Sequence, residues 1–256
     1  MVSSAFNPIT GKLCAVAVAC AVFFALDARA EDMEMGPRKP VIELFTSQGC
    51  DSCPPADALL GKYITRGDVI ALSFPVDYWD YLGWRDTLAS PKYSNRQRAY
   101  AHARRDGEVY TPQAVVNGVA HVVGSNMGAI EQAMRQTQRS LNKYQVPLKV
   151  WAEGNELIIE AGAPPDGSKN VSGTIWLALI KKEASVAVKR GENRGKRITY
   201  HNVVRDLTPI GKYSGQPVTL TLPKRDLMRY GADGCTVLLQ MDDAGPIIAA
   251  AEMKDW

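Results

Sequence analysis

Residues 41–57 read VIELFTSQGCDSCPPAD, and this stretch decides the fold. Its first five residues form a short apolar run that predicts a buried β-strand. Cys50 and Cys53 follow, and apolar residues then recur at helical spacing over 54–66. A second apolar run at 69–76 predicts another buried strand, and a strand–helix–strand order requires parallel strands. The sequence therefore places a Cys-x-x-Cys pair between a parallel strand and the helix that follows it.

The position of this cysteine pair suits thiol chemistry. The thiolate is the reactive form of cysteine, and the positive end of a helix lowers the pKa of a thiol placed there. The two intervening residues let Cys53 approach Cys50 closely enough to form a disulfide. We expect Cys50 to be the exposed nucleophile and Cys53 the resolving thiol. The charge of Asp51 is expected to raise the pKa of Cys50 and to make the pair more reducing.

A proline that follows far along the chain belongs to the same argument. An aromatic-rich loop at 77–86 and a basic helix that ends near Gly107 lead to Thr111-Pro112. An X-Pro bond is the one peptide bond in which the cis form is cheap, at about 0.5–1 kcal/mol. Asn117-Gly118, between two apolar runs, then predicts a hairpin. A last helix completes an α/β unit that ends near residue 143.

One charged residue interrupts the first predicted strand. Glu43 stands in a run that should be buried on both faces, and a buried carboxylate needs a partner. One interpretation makes Glu43 a proton acceptor beneath Cys53. The other has it reach water at the strand end or pair with a basic residue. The sequence leaves both open.

Aromatic side chains crowd the loop 77–86. Tyr78, Trp79 and Trp84 are candidates for the rim of a peptide-binding site, because exposed aromatic residues often anchor partners. The same side chains could instead cover the core above the cysteine helix.

The second half of the chain has a different character. From about Tyr144 onward, short strand-like segments alternate with turn residues, which predicts an all-β, sandwich-like domain over 144–256. Cys235 lies in one of these segments and is expected to be a buried, unreactive thiol, with an intermolecular bridge as the alternative. The predicted strands are 146–151, 156–161, 173–181, 184–190, 197–205, 216–222, 235–241 and 246–252.

The N-terminus predicts export. Lys12 precedes a 14-residue apolar run, and Ala28-Arg29-Ala30 fits a signal-peptidase site, so residues 1–30 are expected to be a signal peptide and 31–40 a leader. An uncleaved membrane anchor is the alternative. The destination would be the periplasm or the exterior, where disulfides persist. The chain has 46% hydrophobic residues and a net charge of +3, which excludes a disordered chain and a strongly basic nucleic-acid binder.

The order of these elements resembles a thioredoxin-like domain across 41–143. More closely, the segments LFTSQGCDSCPPAD at 44–57, VDYWDYLGWRD at 76–86 and YTPQAVVNG at 110–118 resemble a bacterial, secreted family, the domain of unknown function 1223. The segment GENRGKRITYHNVVRDL at 191–207 is also similar to that family.

The resemblance implies an α/β thioredoxin-like domain, followed here by the all-β sandwich-like domain. It gives Cys50 and Cys53 the redox positions, and it gives Thr111 and Pro112 the loop that contacts substrate. A buried acid beneath the second cysteine, the interpretation offered for Glu43, is likewise a thioredoxin feature.

These observations predict an exported thiol–disulfide oxidoreductase that acts on protein or peptide thiols and needs a redox partner. No cofactor, metal or nucleic acid is expected, since no second cysteine pair stands at zinc spacing. The first alternative is a non-enzymatic binding module in which the Cys50–Cys53 disulfide is structural. A weaker alternative is a thioredoxin-like protein that delivers a metal.

Overall fold

The structure is a computed structural model that describes residues 1–2, 38–165 and 171–255. Most of the predicted signal peptide and most of the predicted leader lie outside the described residues. The strands are β1 (Val41–Thr46), β2 (Ile70–Pro75), β3 (Gln113–Val116), β4 (Ala120–Val123), β5 (Leu148–Glu153), β6 (Glu156–Ala161), β7 (Gly173–Ala187), β8 (Arg197–Tyr213), β9 (Val218–Pro223), β10 (Gly234–Gln240) and β11 (Ile247–Met253).

Helices connect the strands of the first half. Each begins where the sequence offers a cap or a proline: Pro54 and Pro55 open α1, Ser90 and Pro91 open α2, and the Asn126 side chain caps α3. The helices are α1 (Pro54–Arg66), α2 (Pro91–Arg104), α3 (Met127–Leu141) and the short α4 (Lys224–Leu227), with 3₁₀ turns at Asp80–Leu82 and Met228–Tyr230.

Eight of the strands form a single mixed sheet in the order β11-β10-β7-β8-β2-β1-β3-β4. β1 and β2 are parallel, as their connection through α1 requires, whereas β3 and β4 form the hairpin that Asn117-Gly118 predicted. β8 joins β2 in parallel through the pair Ser73 and Val203. The remaining strands form a second sheet in the order β5-β6-β9.

Side chains that alternate along β1 divide the core of the first half. Ile42 and Leu44 face α1 and α3, whereas Val41 and Phe45 face α2 and its tyrosines Tyr93 and Tyr100. In the second half of the chain, the three-stranded sheet packs over β7, β10 and β11 across a third apolar cluster.

Two differences from the predicted strands affect the site. The segment 173–181 and the first part of the segment 184–190 form one strand, β7, which ends at Ala187, and β8 continues well beyond residue 205. Together they make a long hairpin whose tip, residues 188–196, reaches the loop that carries the cysteines. Met33–Trp256 form one compact unit, and the predicted boundary near Tyr144 lies inside it.

Candidate functional site

Cys50 and Cys53 form a disulfide at the start of α1, with their Cα atoms 5.4 Å apart. β1 ends at Thr46, and the four residues that follow bring the chain to Cys50. Cys53 is the residue from which α1 begins, and Pro54 and Pro55 occupy its first turn. A helix start is suited to proline because first-turn N–H groups have no partner within the helix.

Both sulfur-bearing residues are covered. Cys50 is 1% exposed and Cys53 is 0% exposed, whereas Asp51 and Ser52 between them are exposed. The expectation of an exposed Cys50 is therefore wrong for this oxidised state. Neighbouring loops fill the space in which a thiol nucleophile would meet a substrate.

Trp79 lies beside both the cysteine loop and the Thr111–Pro112 loop. Its Nε1 donates to Thr111 Oγ1 at 2.8 Å, and a Cβ atom at Gly49 would lie only 2.8 Å from Trp79 Cβ. Trp79 therefore reaches from the residue before Cys50 to the residue before Pro112. The close approach requires glycine at position 49.

The Thr111–Pro112 bond is cis. Pro112 is buried, and both Pro112 and Ala56 of α1 pack around Gly124, where a Cβ atom would lie 3.2 Å and 3.3 Å from their Cβ atoms. The loop that the sequence singled out thus adjoins the first turn of the cysteine helix.

A polar network fixes the loop before Cys50. The Gln48 amide N–H donates to Asp86 Oδ2 at 2.7 Å, and Trp84 Nε1 donates to Gln48 Oε1 at 2.8 Å. The other oxygen of Asp86 accepts from the amides of Leu88 and Ala89. Burial raises the pKa of Asp86, and these backbone donors oppose the rise.

Asn193 closes the site from the tip of the β7–β8 hairpin. Its Nδ2 donates to the carbonyl oxygens of Gln48 at 3.0 Å and Cys50 at 2.7 Å, and the residue is 0% exposed. The sequence marked 191–207 only by its similarity to a family, and it did not connect that stretch with the cysteines. The structure makes it a direct neighbour of the disulfide.

A buried carboxyl group that the sequence reasoning missed lies on α1. Asp57 follows Cys53 by one turn, is 2% exposed, and has no hydrogen-bond partner on either oxygen among the described residues. Burial raises its pKa to about 8, the nearby Thr46 hydroxyl opposes the rise, and the charge of Asp86 adds to it. The hydroxyl groups of Thr46 and Tyr200 are likewise buried and unpartnered among the described residues. An aspartate on the apolar face of a helix was the available signal.

Glu43 lies on the other face of the sheet. It is 0% exposed and alternates with the residues that face α1, so it points toward α2. Arg96 Nε donates to Glu43 Oε1 at 2.8 Å, and the Tyr100 hydroxyl donates to its second oxygen. Of the two interpretations, pairing with a basic residue is what the structure shows.

The aromatic residues of the loop 77–86 differ in how far they are buried. Tyr78 is half-buried against the core and its hydroxyl donates to Gln97 Oε1 at 3.2 Å, while Trp84 packs against the cluster under the hairpin tip. Tyr81 of the same loop is 78% exposed.

Cys235 is a free, buried cysteine, and burial raises the pKa of its thiol to about 12.

Two kinds of feature are absent from the described part of the chain. Within residues 1–2, 38–165 and 171–255, no three His, Cys, Asp or Glu side chains come together to hold a metal ion. Over the same residues, no helix has the length and apolar character needed to cross a bilayer.

Fold and site together define a class: a mixed α/β protein with a covered Cys-x-x-Cys disulfide at a helix start, beside a cis-proline loop. A family model described as "Protein of unknown function (DUF1223)" matches residues 41–240, and the chain belongs to that family. The resemblance seen in the sequence is thereby confirmed.

Solved structures extend the comparison. The chain is similar to protein AGR_C_4864 from Agrobacterium tumefaciens, with 37% sequence identity and a TM-score of 0.75 over 86% of this chain and 96% of the other. It shares its fold with HBP35 of Porphyromonas gingivalis at 13% identity and a TM-score of 0.59, over 85% of this chain and 75% of the other. None of the curated proteins matches it.

Proposed function

We propose that this protein is an exported thiol–disulfide oxidoreductase and that residues 41–143 form its thioredoxin-like domain. The observation that carries the proposal is the Cys50–Cys53 disulfide at the start of α1, beside the Thr111–Pro112 loop. A disulfide at the positive end of a helix is suited to exchange, because the leaving thiolate is stabilised there. The substrates would be thiols of proteins or peptides.

The oxidised state defines the first reaction. A substrate thiolate attacks Cys50 Sγ, the Cys50–Cys53 bond breaks, and Cys53 leaves as a thiolate. A second substrate thiolate then attacks the substrate sulfur of the mixed disulfide and releases Cys50 as a thiolate. The substrate is oxidised to a disulfide by two electrons, the Cys50–Cys53 pair is reduced to two thiols by the same two electrons, and this reduced pair passes them on to a redox partner. In the opposite direction Cys50 attacks a substrate disulfide and Cys53 resolves it.

The covered sulfur sets a condition on this reaction. With Cys50 1% exposed, a substrate reaches Sγ only after neighbouring residues move, and the proposal assigns that movement to Trp79, which donates to Thr111. When the indole leaves, the Thr111 hydroxyl becomes free for the substrate backbone.

A trapping experiment tests the proposal. Cys53→Ala leaves Cys50 without its resolving partner, so mixed disulfides with substrates should accumulate in the exporting cell and disappear on treatment with a reductant. The matched control is Cys50→Ala, which retains one thiol at the buried position and should trap far less. Equal trapping by the two variants would contradict an attacking role for Cys50.

One observation favours a second candidate function, a binding module in which the disulfide is permanent. Exposures of 1% and 0% at the two cysteines are what a structural disulfide shows. The two candidates separate by reduction potential, because structural disulfides lie below about −300 mV and exchanging pairs lie above it. An equilibrium with glutathione or dithiothreitol, read by alkylation of the freed thiols, measures that potential.

A further inference from the structure

A pocket of about 440 Å³ opens beside α2, away from the disulfide. Ala99 of α2 and Trp176 and Leu207 of strands β7 and β8 provide apolar walls, and Arg96 provides a charged group. No residue of the disulfide site lines this pocket. Its size falls within the range of small-molecule sites, which are about 300–1,000 Å³ and mostly apolar with a few placed polar groups.

Arg96 is held rigidly at this pocket. Its side chain is only 8% exposed, its Nε donates to Glu43, and its Nη2 donates to the Tyr100 hydroxyl at 2.8 Å. The guanidinium also lies 5.0 Å from the ring centroid of Tyr100 and 5.7 Å from that of Trp176. Burial lowers the pKa of Arg96, but Glu43 and Tyr100 together outweigh burial and raise that pKa above its ordinary value.

The support of Arg96 continues into β10. Gln240 Nε2 donates to the Tyr100 hydroxyl at 3.1 Å and to the carbonyl of Gly245 at 2.8 Å. The hydroxyl therefore has a fixed direction, and it donates to Glu43. The guanidinium cannot rotate without breaking this network.

One nitrogen of Arg96 is left over. Among the described residues, Nη1 makes no hydrogen bond, whereas Nε and Nη2 each make one. Nη1 is also not among the fully buried atoms that lack a partner, so it retains some exposure. The open space that Arg96 lines is the pocket. Among the other charged residues at the pocket, Lys92 pairs with Asp206 and Asp242 pairs with Lys212, whereas Asp243 is exposed.

We propose that this pocket binds a small monocarboxylate with an apolar or aromatic body, whose carboxylate accepts a hydrogen bond from Arg96 Nη1. The body would lie against Trp176 and Leu207. A single charge is favoured over a phosphate dianion, because Glu43 neutralises Arg96 and the opposite wall carries Asp242 and Asp243. This assigns a ligand site that is independent of disulfide exchange, and it gives the buried Glu43 a role in positioning the binding group.

The test titrates the oxidised, full-length protein with phenylpropanoate and, in parallel, with phenylpropanol, which keeps the ring and lacks the charge. Charge-assisted hydrogen bonds are about twice as strong as neutral ones, so we expect the carboxylate to bind at least about tenfold more tightly. The Trp176 indole N–H resonance should move during the phenylpropanoate titration. Equal affinity for acid and alcohol, or an unmoved Trp176 signal, would overturn the proposal.

Two variants locate the binding. Ala99→Trp fills the pocket from the exposed side of α2 without touching the Glu43 network, and we expect it to abolish binding. Ala103→Trp makes the same change one turn further along α2, outside the lining, and should bind as the wild type does. Binding that survives Ala99→Trp, or that falls equally in both variants, contradicts the assignment. Should either variant fail to fold, the Trp176 signal of the wild type still decides the question.

Discussion

Asp57 lies on the buried face of α1, one turn after Cys53, and its carboxyl group lacks a hydrogen-bond partner among the described residues. The folded protein holds this group protonated, because burial raises its pKa to about 8. In the unfolded chain the same carboxyl group has an ordinary pKa of about 3.9. Between these two pKa values, folding is therefore coupled to the uptake of a proton by the Asp57 carboxyl group.

The sign of the pH dependence follows. The protonated carboxyl group favours the folded state fully below about pH 4, and this contribution is lost as the pH rises toward about 8, by up to about 1.4 kcal/mol per pH unit. Asp57→Asn keeps a neutral side chain at every pH. We expect this variant to be more stable than the wild type at about pH 8 by a few kcal/mol, with the difference shrinking toward about pH 4.

Denaturant unfolding at several pH values measures this effect, with the disulfide kept intact. Asp51→Asn is the matched control, since Asp51 is exposed on the same loop and its change should leave the slope in place. Parallel curves for the wild type and Asp57→Asn would show that Asp57 does not carry the pH dependence.

Trp79 gives a second prediction at the residue scale. Trp79→Ala removes the indole whose Nε1 donates to Thr111 Oγ1, and it keeps the Cβ atom that lies against Gly49. In the wild type the reductant must reach a buried sulfur atom. We therefore expect reduction of the disulfide by dithiothreitol to be about tenfold faster in Trp79→Ala. Tyr81→Ala, at a 78% exposed position in the same loop, should leave the rate unchanged. If both variants react at the wild-type rate, Trp79 is not the barrier.

The sequence identified the chemistry of individual residues better than their surroundings. Cys50, Cys53 and Pro112 are where the motif placed them, because spacing and chain order are local properties. Glu43 and Asp57 show the limit. Glu43 lies on the side of the sheet that faces α2, whereas Asp57 lies on the buried face of α1. This difference depends on the alternation of side chains along β1 and on how α1 packs, which are known only from the folded structure.

At the scale of elements, the β7–β8 hairpin joins the cysteine loop to the second half of the chain. Asn193 at its tip donates two hydrogen bonds to the backbone of that loop. Asn193→Ala leaves two buried carbonyl groups without these donors, so we expect the free energy of unfolding to fall by about 1–3 kcal/mol. Asn193→Asp should cost more, because a carboxylate of the same size repels the same oxygens.

Equilibrium unfolding of these variants provides the measurement. Arg194→Ala, at the exposed neighbouring position, serves as the control and should change stability by less than about 0.5 kcal/mol. An Asn193→Asp variant with the stability of the wild type would show that the tip does not hold the loop.

Element boundaries in this hairpin were only partly predictable. Strand-like segments between turn residues predicted strands throughout the second half, but the break at Lys182 and Glu183 divided β7 into two predicted strands. His201 is a polar residue inside β8. Its ring lies over Gly61 of α1, where a Cβ atom would be 2.7 Å from His201 Cδ2, and its imidazole is therefore a packing partner at a half-buried position.

At the scale of the whole molecule, one sheet runs through both predicted halves. β8 covers the edge of β2 through Ser73 and Val203, and the large sheet continues to β11. Composition and periodicity indicated two successive segments, but they carry no information about pairing between strands so distant in sequence. That pairing is why Met33–Trp256 is one compact unit.

A shared sheet predicts shared stability. Residues 38–255 should unfold in a single cooperative transition, with the calorimetric and van't Hoff enthalpies equal. A fragment of residues 38–143 would leave β2 as an open edge with an apolar face, so we expect it to be unfolded or aggregated. Two separate transitions, or a soluble fragment with native circular dichroism, would contradict a common folding unit.

The pairing of β2 with β8 also has a consequence for synthesis. Ser73 and Val203 are separated by about half the length of the chain, so β2 leaves the ribosome long before its neighbour exists. During that interval the edge of β2 that faces β8 has no permanent partner, although β1 can already pair with the other edge, and long-range pairing of this kind is slow. Completion of the fold therefore waits for translation of the far half, and a holding chaperone has its clearest task in that delay.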